Sequence, residues 1–189
     1  LYINKNYGGK QIWIHDYKIS SHFYSNRSCS VVLVANMIYY LSQVDIKYKT
    51  LYSYTYSLDG YLKLLEDLFK IIKPKPWGIR NLKVLSKKVD IFLEKNNLDV
   101  EVESLRVKNN IKEAVEFIKD SIKCDRPVGM ITWNSKINNL YNHWVMITGI
   151  YKKDDDYFIV TSNWGYKKVY NLSFWLNDRS FYKGLIKIN

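Results

Sequence analysis

Cysteine is scarce in this chain. Cys29 and Cys124 are its only two in 189 residues. That excludes a disulfide framework and every cysteine-rich zinc module, because each needs a set of thiols at fixed spacing. The only histidines are His15, His22 and His143, too few and too dispersed for a His-dominated metal site, so neither a metal nor another cofactor is expected. With 3 prolines and 8 glycines, strong punctuation is sparse, and there is no Gly/Ser linker, internal repeat or low-complexity segment. No apolar run reaches the roughly 18 residues that cross a bilayer. The best, Val31 to Leu41, is interrupted by Asn36 and two tyrosines and reads as a buried helix. No signal-peptide pattern is present. The first expectation is therefore a cytoplasmic protein, with secretion the alternative if a leader was removed before Leu1.

What is present is ordinary globular material: 47% hydrophobic and 25% charged residues, in a length that can bury a sizeable core without staples. The reading is one domain over residues 1–189, helical to about residue 125 and β-rich from about 126. The net charge is +11 and the pI about 9.4. This balance favours anionic partners such as nucleic acid, an acidic membrane face or an acidic cell-wall polymer. The lysines come in scattered pairs (Lys73/Lys75, Lys87/Lys88, Lys152/Lys153, Lys167/Lys168), which is equally the pattern of a solvated surface.

Periodicity orders the chain. Val34, Met37, Ile38 and Leu41 recur at helical spacing and predict a helix from about Ser30 to Leu41. Ser57-Leu58-Asp59 caps a second, with Leu62, Leu65, Leu68, Phe69 and Ile72 on one face and Pro74 and Pro76 after it. Two more helices are expected from about Asn81 to Asn96 and from Asn110 to near Cys124, with a short strand around Val100 to Leu105 between them. Strands are then predicted at Pro127–Trp133, His143–Ile150 and Tyr157–Ser162, and less distinctly at Lys168–Tyr170 and Leu185–Ile188. Lys152–Asp156 reads as a hairpin turn. Helices first and an antiparallel sheet second give the α+β class.

Within that order, Cys29 stands immediately before an apolar helix, where unpaired N–H groups and the helix dipole favour a thiolate. The plain alternative is a small buried hydrophobe. Cys124, at the end of an amphipathic helix, reads as structural. His143 opens a strand, where an imidazole at a sheet rim can accept a thiol proton and return it to a leaving amine. His15 and His22 lie in polar surroundings, with His22 held in reserve. Ser162-Asn163-Trp164-Gly165 ends the strand that pairs with the His143 strand, so a polar side chain there can orient the imidazole while a Trp screens it.

These segments are the Cys29 helix with its Asn36-Met-Ile-Tyr-Tyr-Leu run, Pro127-Val-Gly-Met-Ile, His143-Trp-Val-Met-Ile-Thr-Gly-Ile and Tyr157-Phe-Ile-Val-Thr-Ser-Asn-Trp-Gly. In that order the chain resembles a papain-like cysteine peptidase, similar to the compact bacterial bacteriocin-processing (double-glycine) peptidases and their relatives. The resemblance implies a papain-like fold, with an N-terminal helical half whose nucleophile helix packs on a C-terminal antiparallel sheet. It implies Cys29 as nucleophile, His143 as general base and acid, an Asn163 or Ser162 orienter, and a Gln helping to bind the oxyanion. The upstream Gln available is Gln11, within reach if the Ser20–Asn26 loop is an insertion; otherwise it is a surface residue beside Trp13. The backbone N–H of Cys29 would be the second oxyanion donor. Ser30 stands where many relatives have Gly. The usual orienter lies two before the Trp, which is Ser162, whereas Asn163 is one before it. A bulge presents Asn163, or Ser162 orients, or the site is a dyad.

The expected function is a thiol hydrolase that cleaves a peptide or amide bond through an acyl-enzyme. The alternatives are an acyltransferase with the same Cys–His pair, and a weak or inactive papain-like fold acting as a basic binding module. For the last, Tyr17, Tyr24, Tyr52, Tyr54 and Tyr56, interleaved with Lys47 and Lys49, supply rings to stack on sugars or bases. A compact cell-wall amidase suits the chain less, because Cys29 and His143 lie 114 positions apart (143 − 29).

Overall fold

The computed structural model describes residues 1–108 and 110–189. Two four-residue helices, α1 (Trp13–Asp16) and α2 (His22–Ser25), precede the long α3 (Cys29–Val44). A 3-10 turn (Ile46–Leu51) then leads to α4 (Leu58–Ile72) and α5 (Leu82–Lys95). Strand β1 (Val102–Arg106) and helix α6 (Ile111–Lys123) follow, then β2 (Val128–Trp133), β3 (His143–Lys153), β4 (Asp156–Asn163) and β5 (Tyr166–Asn171). Helix α7 (Leu172–Asn177) and strand β6 (Tyr182–Ile188) complete the chain.

The helix starts are written in short polar side chains. Ser57, Asn81, Asn110 and Asn171 each accept a hydrogen bond from the backbone N–H three residues on, satisfying a donor that the helix itself leaves unpaired. Helix α4 ends at Lys73, which adopts the left-handed conformation (φ 46°) just before Pro74. Helix α3 differs. Val31 to Tyr39 are all buried, so apolar residues surround its axis, as suits a helix enclosed on every side.

All six strands pair antiparallel in the order β1-β6-β2-β3-β4-β5. One face carries α3, α4 and α5 over Ile131, Trp144, Met146 and Ile186. The other carries α6 and α7 over Met130, Val145, Ile147 and Ile159. Strand β3 is buried over its first half, hence the apolar run Trp144 to Ile147 there, and it emerges to solvent at Tyr151 to Lys153. The α+β class and the helix-on-antiparallel-sheet packing expected from sequence are present. The helices, however, divide between the two faces into three layers, because α6 crosses to the far side and α7 joins it there. At Gly129 a β-carbon would lie 2.6 Å from Ile186 and 2.8 Å from Leu33, so the glycine lets α3 approach the sheet closely.

The N-terminal segment is threaded between α3 and β4. Buried Asn36 on α3 accepts hydrogen bonds from the Gly9 N–H and the Tyr61 hydroxyl, both at 2.8 Å. A side chain at Gly9 would strike the Tyr61 hydroxyl at 2.1 Å, and one at Gly8 (φ 86°) the Ser162 hydroxyl at 2.2 Å. Of the tyrosines named as rings for stacking, Tyr52, Tyr54 and Tyr56 pack on one another, whereas Tyr17 and Tyr24 are exposed. Tyr52 and Tyr56 stack at 5.0 Å, and the hydroxyls of Tyr54 and Tyr56 donate to Asp67 and to the Ser42 carbonyl. Among the described residues, no helix is long and apolar enough to cross a membrane.

Asn36→Ala leaves the Gly9 N–H and the Tyr61 hydroxyl buried without their acceptor, and stability is expected to fall by about 2–4 kcal/mol. Urea unfolding measures it, and a loss no larger than that of the exposed control Lys70→Ala contradicts this role.

Candidate active site

Cys29 is the first residue of α3. Ser28 is in position to cap the helix, but its hydroxyl donates instead to the Tyr24 carbonyl at 2.6 Å, and no side chain caps this end. The N–H groups of Cys29 and Ser30 are left turned toward the sulfur, joined by the N–H of Trp144 from the start of β3. All three favour a negative sulfur. Burial opposes them and wins: Cys29 is only 8% exposed, and desolvation pushes its thiol up to about 11. The lowered thiol pKa expected from the helix-start position is therefore corrected, since the sequence reveals the helix end but not the depth at which it lies.

His143 is also buried, and burial pushes its imidazole down to about 4, against the opposing effect of its hydrogen bond to Asn163. At neutral pH the resting pair is a thiol and a neutral imidazole, and the remaining question is which nitrogen carries the proton. Asn163 answers it. Its Nδ2 donates to the Asn139 carbonyl at 3.2 Å and to the Tyr170 hydroxyl at 3.0 Å. A carbonyl only accepts, so the amide orientation is settled and Oδ1 faces the ring. His143 Nε2 lies 2.9 Å from Oδ1 and must be the donor. The hydrogen sits on Nε2, and Nδ1 keeps a free lone pair with which to take a proton.

The strand parity that brings Asn163 to this ring comes from a bulge. Met146 and Ile147 pair with Ser162 and Thr161, but Gly149 pairs with Val160, so Thr148 is an extra residue in β3. The bulge reverses the alternation of β3. Beyond it Ile150 faces the α6–α7 side, and before it His143, Val145 and Ile147 do. A regular β3 would place His143 on the face of Ser162. Instead Ser162 turns away and donates to the Tyr7 carbonyl at 2.6 Å. Asn163 thus bonds the imidazole and Ser162 does not; the bulge lies in the histidine's strand rather than in its own. Trp164 and Gly165, both at positive φ (51° and 80°), make the two-residue turn from β4 to β5. This uncommon backbone for a bulky residue sets the indole against the imidazole, with ring centroids 4.7 Å apart.

Gln11 reaches the same place. Its Nε2 donates to the Ser25 carbonyl at 2.6 Å, and its main-chain carbonyl accepts from the Ser25 hydroxyl at 2.8 Å. One amide hydrogen remains for a ligand. A cavity of about 500 Å³ is lined by Lys10, Gln11, Cys29, His143, Trp164 and Tyr166, among others. Gln11, Cys29 and His143 therefore meet, Asn163 joins them through its bond to His143, and Ser162 borders a smaller cavity that the same three residues line, while helices α1 and α2 lie between Gln11 and Cys29 along the chain. Ser30 is fully buried, and its hydroxyl has no hydrogen-bond partner among the described residues. His22 packs edge-on against His15, both exposed and outside the cavity, and Cys124 is exposed at the end of α6.

Asn139 and Tyr170, which hold the Asn163 amide, have no sequence signal of their own. Tyr170 could have been found only from the register of β5. Among the described residues, no group of three or more His, Cys, Asp or Glu side chains is placed to hold a metal ion. No protein-family model, curated protein or solved structure matches this chain.

Because the folded imidazole is held near 4 against an ordinary 6.5, the unfolded chain takes up this proton first on acidification. The stability associated with neutral His143 is complete above about pH 6.5 and declines toward pH 4, by about 3 kcal/mol in all. His143→Gln removes the titration while retaining an N–H for Asn163. Its loss of stability between pH 7 and 4.5 in urea unfolding is expected to be smaller than the parent's by about 2 kcal/mol. Identical losses contradict a buried neutral histidine.

Proposed function

We propose that the protein is a thiol hydrolase of papain-like type acting on a peptide or amide bond. The observation that carries this reading is the 2.9 Å bond from His143 to Asn163, which leaves Nδ1 as a base in the cavity that Cys29 also lines. In the reaction, the Cys29 sulfur attacks the carbonyl carbon and its proton passes to Nδ1. The oxyanion is received by the Cys29 N–H, in the field of the uncapped start of α3, and by the free amide hydrogen of Gln11. Collapse returns the proton from Nδ1 to the departing amine and leaves a thioester on Cys29. Water, giving its proton to Nδ1, then attacks the thioester; the carboxylic acid is released and the thiol restored. An amine in place of that water makes the same site an acyltransferase.

The neutral resting pair means that charge appears only as the bond forms, rather than in a standing thiolate–imidazolium pair. It also favours a second reading, in which the fold binds its ligand at the cleft and turns it over weakly or not at all. A positioned base contributes about 10²–10⁴-fold, which separates the two.

With a pooled peptidyl vinyl sulfone at pH 7, intact-mass spectrometry and peptide mapping are expected to find the adduct on Cys29. The adduct should form about 10²–10⁴-fold more slowly in His143→Ala, and more slowly to a lesser extent in Asn163→Ala. Modification of exposed Cys124 at an equal or greater rate, or Cys29 labelling indifferent to His143, contradicts the hydrolase reading.

A further inference from the structure

A second cavity, of about 400 Å³, shares Asn26, Cys29 and Asn142 with the first and is lined beyond them by Arg27, Trp77, Arg80 and Trp133, among others. Arg80 is exposed. Its guanidinium lies 5.1 Å from the Trp133 ring and 5.7 Å from the Trp77 ring, and its Nε is 3.5 Å from the Trp77 carbonyl. Ring contacts of this kind hold the planar fork in place before any ligand arrives. Among the described residues, its two terminal nitrogens have no protein acceptor and neither Arg80 nor Arg27 has a carboxylate partner. Arg27 is fixed behind it, its Nη1 donating to the Phe23 carbonyl at 2.8 Å and its Nε to the Pro76 carbonyl. Among the described residues, no Asp or Glu lines this cavity or the first one, where Lys10 adds a further cation.

We propose that this pocket is a subsite for a carboxylate carried by the substrate next to the bond presented to Cys29, with Arg80 as the reading residue and Arg27 reinforcing its field. The substrate class is then an acidic peptide. This rests on the thiol chemistry proposed above only for the bond that is cut; the binding preference stands on the pocket alone. A planar guanidinium with free terminal N–H groups accepts a carboxylate through two parallel hydrogen bonds. A nucleic-acid track would instead need a row of cations along one path, and the lysine pairs here are dispersed over the α4–α5 connection, α5, β3 and β5. The +11 net charge raises the encounter rate with an acidic segment.

The test uses full-length Cys29→Ser protein, which binds without turnover, and fluorescence anisotropy with labelled octapeptide pools. The pools are amidated at the C-terminus and randomised except for a central Glu, Gln or Lys. A fourth, Gln-centred pool carries a free terminal carboxylate, so that side-chain and terminal sources are told apart. The Glu pool, or the free-terminus pool, is expected to bind about tenfold more tightly than the amidated Gln pool, and the Lys pool more weakly than both. Adding Arg80→Gln should abolish the difference with the urea midpoint unchanged. Equal affinities, undetectable binding, or a preference that survives Arg80→Gln overturn the subsite. Tighter, Arg80-dependent binding of a single-stranded oligonucleotide assigns the pocket to phosphate and also overturns it. The same pools offered to the parent protein address the chemistry separately. Binding preference without cleavage contradicts the hydrolase reading and leaves the subsite standing, whereas cleavage without preference does the reverse.

Discussion

One amide orientation governs the site. The Asn139 carbonyl can only accept, so it holds Asn163 Nδ2; Oδ1 therefore faces His143 Nε2, and the ring proton is confined to that nitrogen. Reverse the amide and the lone pair would move to the wrong side of the ring, with every residue still in place. The Tyr170 hydroxyl adds a second acceptor to the same Nδ2. The chemistry proposed for Cys29 thus depends on two groups that never reach the sulfur, which is how a buried neutral imidazole is kept in one tautomer without a carboxylate beside it.

The N-terminal segment is what keeps this arrangement in register. The Tyr7 hydroxyl lies 2.7 Å from the Thr148 hydroxyl, at the bulge that sets the parity of His143. The Tyr7 N–H donates to the Gly165 carbonyl at 2.8 Å, and its own carbonyl accepts from Ser162. A few residues on, the Gly8–Gly9 pair slips past Asn36 and delivers Gln11 beside Cys29. A single strap therefore touches the bulge, the hairpin that carries Trp164, and the nucleophile helix. Deep burial of the pair follows from the same packing, and with it the neutral resting state: the helix-start N–H groups act on the sulfur, but the loss of water outweighs them.

Much of this was legible in the sequence where a local rule acts alone. Helix α4 announces itself by its Ser57 cap, its apolar stripe and Pro74; α5 and α6 by Asn caps at Asn81 and Asn110; β3 and β4 by their apolar residues on either side of a polar turn. Cys29, His143 and the Ser162–Asn163 pair could be singled out because each stands at the end of such an element. What was not legible depends on parity or depth. The extra residue at Thr148 has no sequence mark, yet it decides between Asn163 and Ser162. The four-residue helices α1 and α2 are too short to show a period, and the Leu172, Trp175 and Leu176 of α7 follow so directly on a strand that they do not stand apart as a helix. Which face α6 takes, and how far burial shifts the thiol, depend on tertiary packing that no window of sequence contains.

The central claim is a protonation state, and ¹⁵N chemical shifts of the imidazole in ¹⁵N-histidine-labelled protein read it directly. At pH 6 the account expects His143 to show a neutral ring with its hydrogen on Nε2 and an unprotonated Nδ1. A hydrogen on Nδ1, or an imidazolium at that pH, would contradict it.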